Sequence, residues 1–336
     1  MKLTFVLSLI ITAFLYVGIA NSQIIPYTQK VSVSKNDKEI LDRHISKYTA
    51  FTLDKKELIT DLYRNGKIQF LLKIDEELEW SLKLELNDMR AYGYKQVYFT
   101  DDGEFEFNEP FVVNTFKGET FNGQVARFTI DDNNFFGVIF GDNYHYVIRP
   151  ANDYTKNQTD KSFIAYRSSD IIPDDSISDY INDALEVSEG LEFKKDNSNK
   201  TKDGLMSSSS CKYYLKIATD ADYQYYQAKS SNVSTVNNSI ISILNIVEGV
   251  YESTFNIKFL VTAQYVCNTN TIYTSTDGKV LLEQFQDYWN YYRTSVDRNI
   301  AHLFTGKTLI AGKGWAYVGV IDNTSFRNSS VNSKRL

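Results

Sequence analysis

The hydrophobic period of this sequence changes along the chain, and that change limits the folds it can adopt. Apolar residues recur at every second position in Ile68–Ile74 and again in Trp80–Leu86. This alternation is typical of half-buried β-strands. Short apolar runs continue to Arg149, with turn-forming pairs such as Asn122-Gly123 between them. Residues 66–150 are therefore predicted to form an antiparallel β-domain.

The segment from Cys211 onwards has a different pattern, in which helical and strand periods alternate. The helical stripes, such as Leu281, Phe285 and Tyr292, are interpreted as core. An order β-α-β-α-β-β favours an α/β layer with a mixed sheet. The predicted elements are strands at 213–218, 255–266, 300–304 and 314–321, and helices at 232–251 and from Thr276 or Asp277 onwards.

The region between these halves, Gly190–Ser210, is polar, rich in Lys and Ser, and nearly free of apolar residues. Such composition is typical of a linker, where domain boundaries fall. Lys194-Lys195 and Lys200-Thr201-Lys202 are candidate cleavage sites for a processing protease, although an ordinary charged linker explains them equally well.

The N-terminus predicts export from the cell. Lys2 precedes the apolar run Leu3–Ile19, and Ala20-Asn21-Ser22 offers a small-residue cleavage site. We interpret residues 1–22 as a secretory signal peptide, with an uncleaved membrane anchor as the alternative. The protein is then expected to be extracellular, without a membrane anchor once the signal is cut.

Cysteines and sequons fit that compartment. The two cysteines, Cys211 and Cys267, are predicted to form a disulfide, with free thiols or partners outside the sequence as the alternative. Six Asn-x-Ser/Thr sequons are predicted glycosylation sites: Asn157, Asn199, Asn232, Asn237, Asn323 and Asn328.

The net charge is −6 and no basic cluster occurs, which argues against nucleic acid as a partner.

Motifs for chemistry are scarce. The three histidines, His44, His145 and His302, are not spaced as H-E-x-x-H, so the residues alone predict no metal site and no catalytic residue. No G-x-S-x-G occurs. The run Ala301–Thr308 ends like a phosphate-binding loop, but its middle is strand-like and no helix pattern follows, so we reject that interpretation.

Several blocks in order nevertheless resemble a known family. Cys211–Gln227, Ser239–Val261 and Leu281–Ile321 resemble the first half of a reprolysin (adamalysin-type) metzincin zinc endopeptidase. Val125–Pro150 resembles the propeptide of the same family. The resemblance implies an α+β fold: an antiparallel β-rich propeptide domain followed by the N-terminal part of a metzincin-like α/β domain with a mixed sheet.

The resemblance also implies zinc as the cofactor and peptides or proteins as substrates. The matching substrate-binding edge is Gly314, Trp315, Ala316 and Tyr317, although these residues equally suit an ordinary strand. The match stops at Ile321, so the zinc ligands, the general base and the Met-turn are missing, and no zinc is expected on this chain. No cysteine before Cys211 could serve as a cysteine switch; an aspartate latch at Asp142 is conceivable, but a turn residue explains it better.

Two hypotheses follow. The chain is a secreted zymogen of a reprolysin-type protease, truncated before the zinc-binding helix and inactive as given, or it is a secreted non-catalytic propeptide-like inhibitor or binding module. The expected domains are a signal peptide (1–22), a propeptide-like domain (23–190), a linker (191–210), a partial catalytic domain (211–321) and a polar tail (322–336).

Overall fold

The computed structural model describes residues 28–132, 134–155, 161–172, 213–309 and 314–316. Its strands form two sheets, one antiparallel with nine strands and one mixed with five strands. The α+β class predicted from the sequence is confirmed, including the antiparallel sheet in the first half and the mixed sheet in the second.

The first half supplies eleven strands. Nine of them form the antiparallel sheet, in the order β1-β2-β11-β10-β9-β8-β7-β4-β3. The strands are β1 (Thr28–Lys30), β2 (Tyr48–Leu53), β3 (Lys67–Lys73), β4 (Glu79–Leu86), β5 (Arg90–Thr100), β6 (Gly103–Glu106), β7 (Thr115–Thr120), β8 (Val125–Ile130), β9 (Phe135–Ile139), β10 (Tyr146–Pro150) and β11 (Phe163–Arg167).

This sheet curls around a core that its alternating residues create. On β8, Ala126, Phe128 and Ile130 point into the core, whereas Arg127 and Thr129 lie on the other face. The two sheet edges approach each other, since the hydroxyl of Thr28 on β1 donates to the carbonyl of Lys73 on β3. The curled sheet therefore resembles a partly closed barrel, which leaves little exposed edge.

Three α-helices pack on this first domain among the described residues. They are α1 (Lys35–Leu41), α2 (Lys55–Asn65) and α3 (Asn152–Thr155). Leu58 and Leu62 of α2 join the core inside the curled sheet, and α2 ends where Gly66 adopts a left-handed conformation with φ of 64°. Leu41 at the end of α1 joins a second cluster on the outer face.

The described residues of the second half form three parallel strands and three helices. Strand β12 pairs in parallel with both β13 and β14. The elements are β12 (Tyr213–Ala221), α4 (Tyr223–Ala228), α5 (Val233–Phe255), β13 (Ile257–Cys267), α6 (Gly278–Tyr292) and β14 (Ile300–Phe304). Helix α5 packs on one face of this sheet and α6 on the other, each with its own apolar cluster.

The mixed sheet is completed from the first half of the chain. Its order is β14-β12-β13-β5-β6, so the hairpin β5–β6 leaves the first domain and pairs with β13. Strand β5 is parallel to β13, and β6 is antiparallel to β5. Within the part of the chain that the structure describes, β6 is thus the antiparallel strand of the mixed sheet. The sequence had predicted a mixed sheet built from the second half of the chain alone.

Other boundaries differ locally from the prediction. The sequence pattern also predicts a short strand at Phe111–Thr115. That prediction is wrong, because residues 111–114 form a loop and β7 begins at Thr115. Strands β2 and β11 were not predicted, since their short runs lack a clear alternation with polar residues. Among the described helices, none is long and apolar enough to cross a membrane.

Candidate functional site

The carboxyl ends of β12, β13 and β14 meet at one end of the mixed sheet, which is where α/β proteins commonly bind ligands. Asp220 lies there on β12 and is fully buried. Its carboxylate accepts hydrogen bonds from Tyr273 Oη (2.7 Å), Trp289 Nε1 (3.0 Å) and the thiol of Cys267 (3.6 Å). The three donors come from separate segments, so the carboxylate ties β12, β13 and α6 together.

Burial raises the pKa of Asp220 to about 6, although the charge of Arg293 and the hydrogen bonds from Tyr273 and Trp289 act in the opposite direction. Burial and the nearby Asp220 carboxylate together raise the pKa of the Cys267 thiol well above its usual range. The thiol is therefore a proton donor to Asp220 and a poor nucleophile.

Arg293, at the end of α6, connects this carboxylate to the first domain. Its guanidinium lies 4.3 Å from the ring centroid of Tyr265 and 5.0 Å from that of Tyr288. Its Nη1 is 2.5 Å from Glu104 Oε1 on β6. A residue of the hairpin thus neutralises the cation that faces Asp220.

A second buried carboxylate, Asp222, organises the loop after β14. It accepts from the backbone N–H of Tyr225 at 2.7 Å and so caps α4. It also accepts from the hydroxyl of Thr305 at 2.5 Å and the N–H of Gly306 at 3.0 Å. The Asp222 carboxylate therefore occupies the backbone and hydroxyl donors of this loop that a phosphate group would need.

The histidines offer no zinc site. Desolvation lowers the pKa of His302 to about 4. No group of three or more His, Cys, Asp or Glu side chains suited to a metal lies among the described residues. These residues therefore do not fit a zinc ion. Each histidine packs against an aromatic ring: His44 on Tyr154, His145 on Phe140 and His302 on Phe304.

Comparison with known protein families gives a match in the second half of the chain. Residues 213–335 match the family described as reprolysin (M12B) family zinc metalloproteases. We refer to this matching part as the reprolysin-type domain. No curated protein matched the chain. The crystal structure of metalloproteinase-II from Bacteroides fragilis aligns over 78% of this chain and 72% of its own at 12% identity, with a TM-score of 0.34, which is too weak to support a conclusion.

The predicted substrate edge of the reprolysin-type domain is described only in part. Gly314, Trp315 and Ala316 are exposed, whereas Tyr317 lies outside the described residues. The ring of Trp315 packs against the first residue of α6, because a Cβ added to Gly278 would lie 2.2 Å from Trp315 Cδ1. The edge is therefore adjacent to α6, and Gly278 makes that close approach possible.

The remaining site predictions fall partly outside the described residues. Cys267 is a buried free thiol in the structure, but Cys211 is not described, so the disulfide stays a prediction. Asn232 is exposed, and its side-chain oxygen caps α5 through the N–H of Thr235 at 2.9 Å. Asn237 is 1% exposed. The sequons outside the described residues are Asn157, Asn199, Asn323 and Asn328.

Sequence reasoning missed several residues that build this end of the sheet. Asp220, Asp222, Glu104 and Arg293 were not singled out, because no short motif joins them. One signal was present: Asp220 lies near the end of an apolar strand and Asp222 follows that strand, and polar residues in these positions gather at the carboxyl end of a parallel sheet.

Proposed function

We propose that this chain is the precursor of a secreted reprolysin-type zinc metalloendopeptidase, in which residues 28–172 belong to the propeptide. The observation that carries the proposal is the family match over residues 213–335. Support comes from the hairpin β5–β6, which completes the reprolysin-type sheet as expected of a propeptide that binds the domain following it. The substrates would be extended peptides that pair with the edge at Gly314–Tyr317.

Catalysis in this family depends on zinc, which activates a water molecule for attack on the peptide bond. The described residues do not fit that ion, and the three histidines of the sequence lack the required spacing. We therefore propose that these 336 residues neither bind a catalytic zinc nor cleave peptides by themselves. What this chain contributes is the strand scaffold, the substrate edge and the bound propeptide.

Metal analysis of the purified full chain tests this proposal. The expected result is a folded protein with less than stoichiometric zinc and no peptide cleavage that a chelator abolishes. Stoichiometric zinc together with chelator-sensitive cleavage would refute it. Sequencing the transcript downstream of the matched segment tests the precursor assignment separately, because a protease gene should encode H-E-x-x-H there.

Secretion and glycosylation are part of the same proposal. Glycopeptide analysis of the secreted protein should find a glycan on the exposed Asn232. It should find none on Asn237, because that amide nitrogen is buried and donates to Gln96 Oε1 at 2.8 Å. A glycan can be attached only where the side-chain amide nitrogen is at the protein surface. A glycan on Asn237 would therefore contradict the folded arrangement.

A second candidate is a secreted non-catalytic inhibitor or binding module. It is favoured by the polar contacts through which the first domain holds the reprolysin-type domain, such as the ion pair of Arg127 with Glu252 at 2.6 Å. Inhibition of an active relative by the purified full chain would support this candidate, and its absence at micromolar concentration would count against it.

A further inference from the structure

We infer that residues 28–172 form a recognition module for the β13 edge and the α5 face of a reprolysin-type domain, and that the two domains stay bound when the chain between them is cut. The inference rests on the proposed function in taking residues 28–172 as a propeptide. It concerns only the association of the two domains, so it requires neither bound zinc nor peptidase activity of this chain.

The first contact is backbone pairing along β13. The N–H of Val261 donates to the carbonyl of Met89 at 2.7 Å, and the N–H of Asn268 donates to the carbonyl of Phe99 at 2.8 Å. Between them, β5 runs parallel to β13 up to the pair Cys267 and Phe99. Addition of a strand to an open sheet edge is a general mode of protein recognition, and here the added strand belongs to the first domain.

The hairpin also contributes to both faces of the reprolysin-type sheet. Met89 is 1% exposed and lies in the cluster that α5 covers. Val97 is 6% exposed and lies in the cluster that α6 covers. Removal of the hairpin would expose apolar surface on both faces and the free edge of β13, so dissociation is strongly disfavoured.

Buried amides make this edge selective. Tyr94 Oη on β5 donates to Gln264 Oε1 at 2.6 Å, and Asn237 Nδ2 on α5 donates to Gln96 Oε1 at 2.8 Å. Gln264 Nε2 in turn donates to the carbonyl of Asn237 at 3.2 Å. A partner that lacks these amides would leave buried polar groups of the hairpin unpaired, so it should bind more weakly.

The second contact is the packing of α5 on the outer face of β8 and β9. Arg127 Nη2 on β8 lies 2.6 Å from Glu252 Oε2 and 3.9 Å from Glu248 Oε2. Gly249 lies between these two acids. A Cβ added to Gly249 would be 2.8 Å from Arg127 Cγ and 2.9 Å from Phe140 Cε2, so the two surfaces touch without space for a side chain.

The third contact is the pair of Glu104 with Arg293 at the end of α6. The three contacts therefore hold the edge of the mixed sheet and both of its faces. In the sheet order β14-β12-β13-β5-β6, the hairpin lies on the side away from β14. Binding through this surface leaves the β14 side of the described sheet uncovered, which distinguishes it from a latch inserted into a substrate cleft.

A cleavage experiment on the full chain tests the inference. A recognition sequence for a site-specific protease is placed within residues 191–210, and the purified protein is cut and passed through a size-exclusion column. We expect both fragments to elute together at the size of the uncut chain and to separate only in denaturant. Separate elution of two folded fragments would overturn the inference, whatever the result of the zinc measurements.

Two leucine substitutions one helical turn apart on α5 locate the surface. Gly249→Leu forces a side chain against Arg127 and Phe140, so the cut fragments should separate. Ser253→Leu adds the same side chain at an exposed position and should leave them together. A Gly249→Leu protein that stays bound as tightly as the wild type would refute the assigned surface.

Since Gly249→Leu could prevent folding, a charge reversal provides a second test. Glu104→Arg places a cation against Arg293 at the surface of the hairpin, and we expect dissociation of the cut fragments to accelerate about tenfold or more. Lys95→Glu alters the same hairpin at an exposed residue that pairs only within it, with Glu106, so its dissociation rate should stay near that of the wild type. Equal rates for Glu104→Arg and the wild type would refute the role of this contact.

Discussion

Neutralising Asp220 should remove a specific pH dependence of stability. An unfolded aspartate has the ordinary pKa of 3.8, whereas burial raises the pKa of Asp220 to about 6. The folded chain therefore holds a proton that the unfolded chain has already lost between these two values. Stability from this group is fully present below pH 4 and is lost as the pH rises through 6. Since one pH unit of pKa difference corresponds to about 1.4 kcal/mol, the loss is about 3 kcal/mol.

The substitution Asp220→Asn keeps the shape of the side chain and most of its hydrogen bonds. Tyr273 and Trp289 both donate to the same oxygen, Oδ2, and an amide oxygen in that place can accept both. The amide nitrogen then faces the sulfur of Cys267, a weak acceptor, in place of Oδ1. The variant is thus a neutral replacement without a cavity.

Urea unfolding of the full chain at several pH values from 4 to 7, followed by tryptophan fluorescence, measures the effect. The free energy of unfolding of the wild type minus that of Asp220→Asn should fall by about 2.5 kcal/mol between pH 4 and pH 7. The exposed Asp297, paired with Lys216 at 2.6 Å, provides the control. Its replacement by Asn should change stability by less than about 1 kcal/mol throughout. A flat difference for Asp220→Asn would refute the reasoning.

Two further predictions concern packing, and each has a control substitution. Arg127→Met leaves the buried Glu248 without its cation and should lower the free energy of unfolding by about 3–5 kcal/mol, measured by urea titration. The control is Lys38→Met, which removes the exposed ion pair of Lys38 with Asp42. Its N–O distance of 2.6 Å equals that of the Arg127–Glu252 pair. This control should lower the free energy of unfolding by less than about 1 kcal/mol. Gly278→Ala should push the Trp315 ring into solvent, since the added Cβ would meet it at 2.2 Å. Quenching of the tryptophan fluorescence by acrylamide should therefore increase. The same Gly278→Ala substitution in a Trp315→Phe protein should give no increase, which would assign the change to the Trp315 ring.

The local elements could be predicted because their signals are local. The alternation in Trp80–Leu86 and the helical stripe after Asp277 each lie within one element. Of the two predicted helix starts, Thr276 and Asp277, the structure selects Asp277, which caps α6 through the N–H of Val280. The segments that resemble the reprolysin family could also be recognised, because each resemblance lies in a run of consecutive residues. Short strands such as β11 were missed, because five residues buried on both faces show no period.

The candidate site could not be predicted in the same way. Asp220 gains its raised pKa from burial among residues that lie far apart in sequence, and its carboxylate has no local signature. Arg293 and Glu104 are likewise two ordinary charges until the hairpin brings them together.

Sequence alone determined the two-part order of this chain, the identity of its reprolysin-type blocks and the positions of most helices and strands. Only the tertiary structure decided which sheet β5–β6 joins. The physical reason is that an alternating strand specifies which residues are buried, but its backbone donors and acceptors are the same for every partner. The partner was selected by distant side chains, among them Gln264 and Asn237, which pair with the Tyr94 hydroxyl and the Gln96 amide of the hairpin.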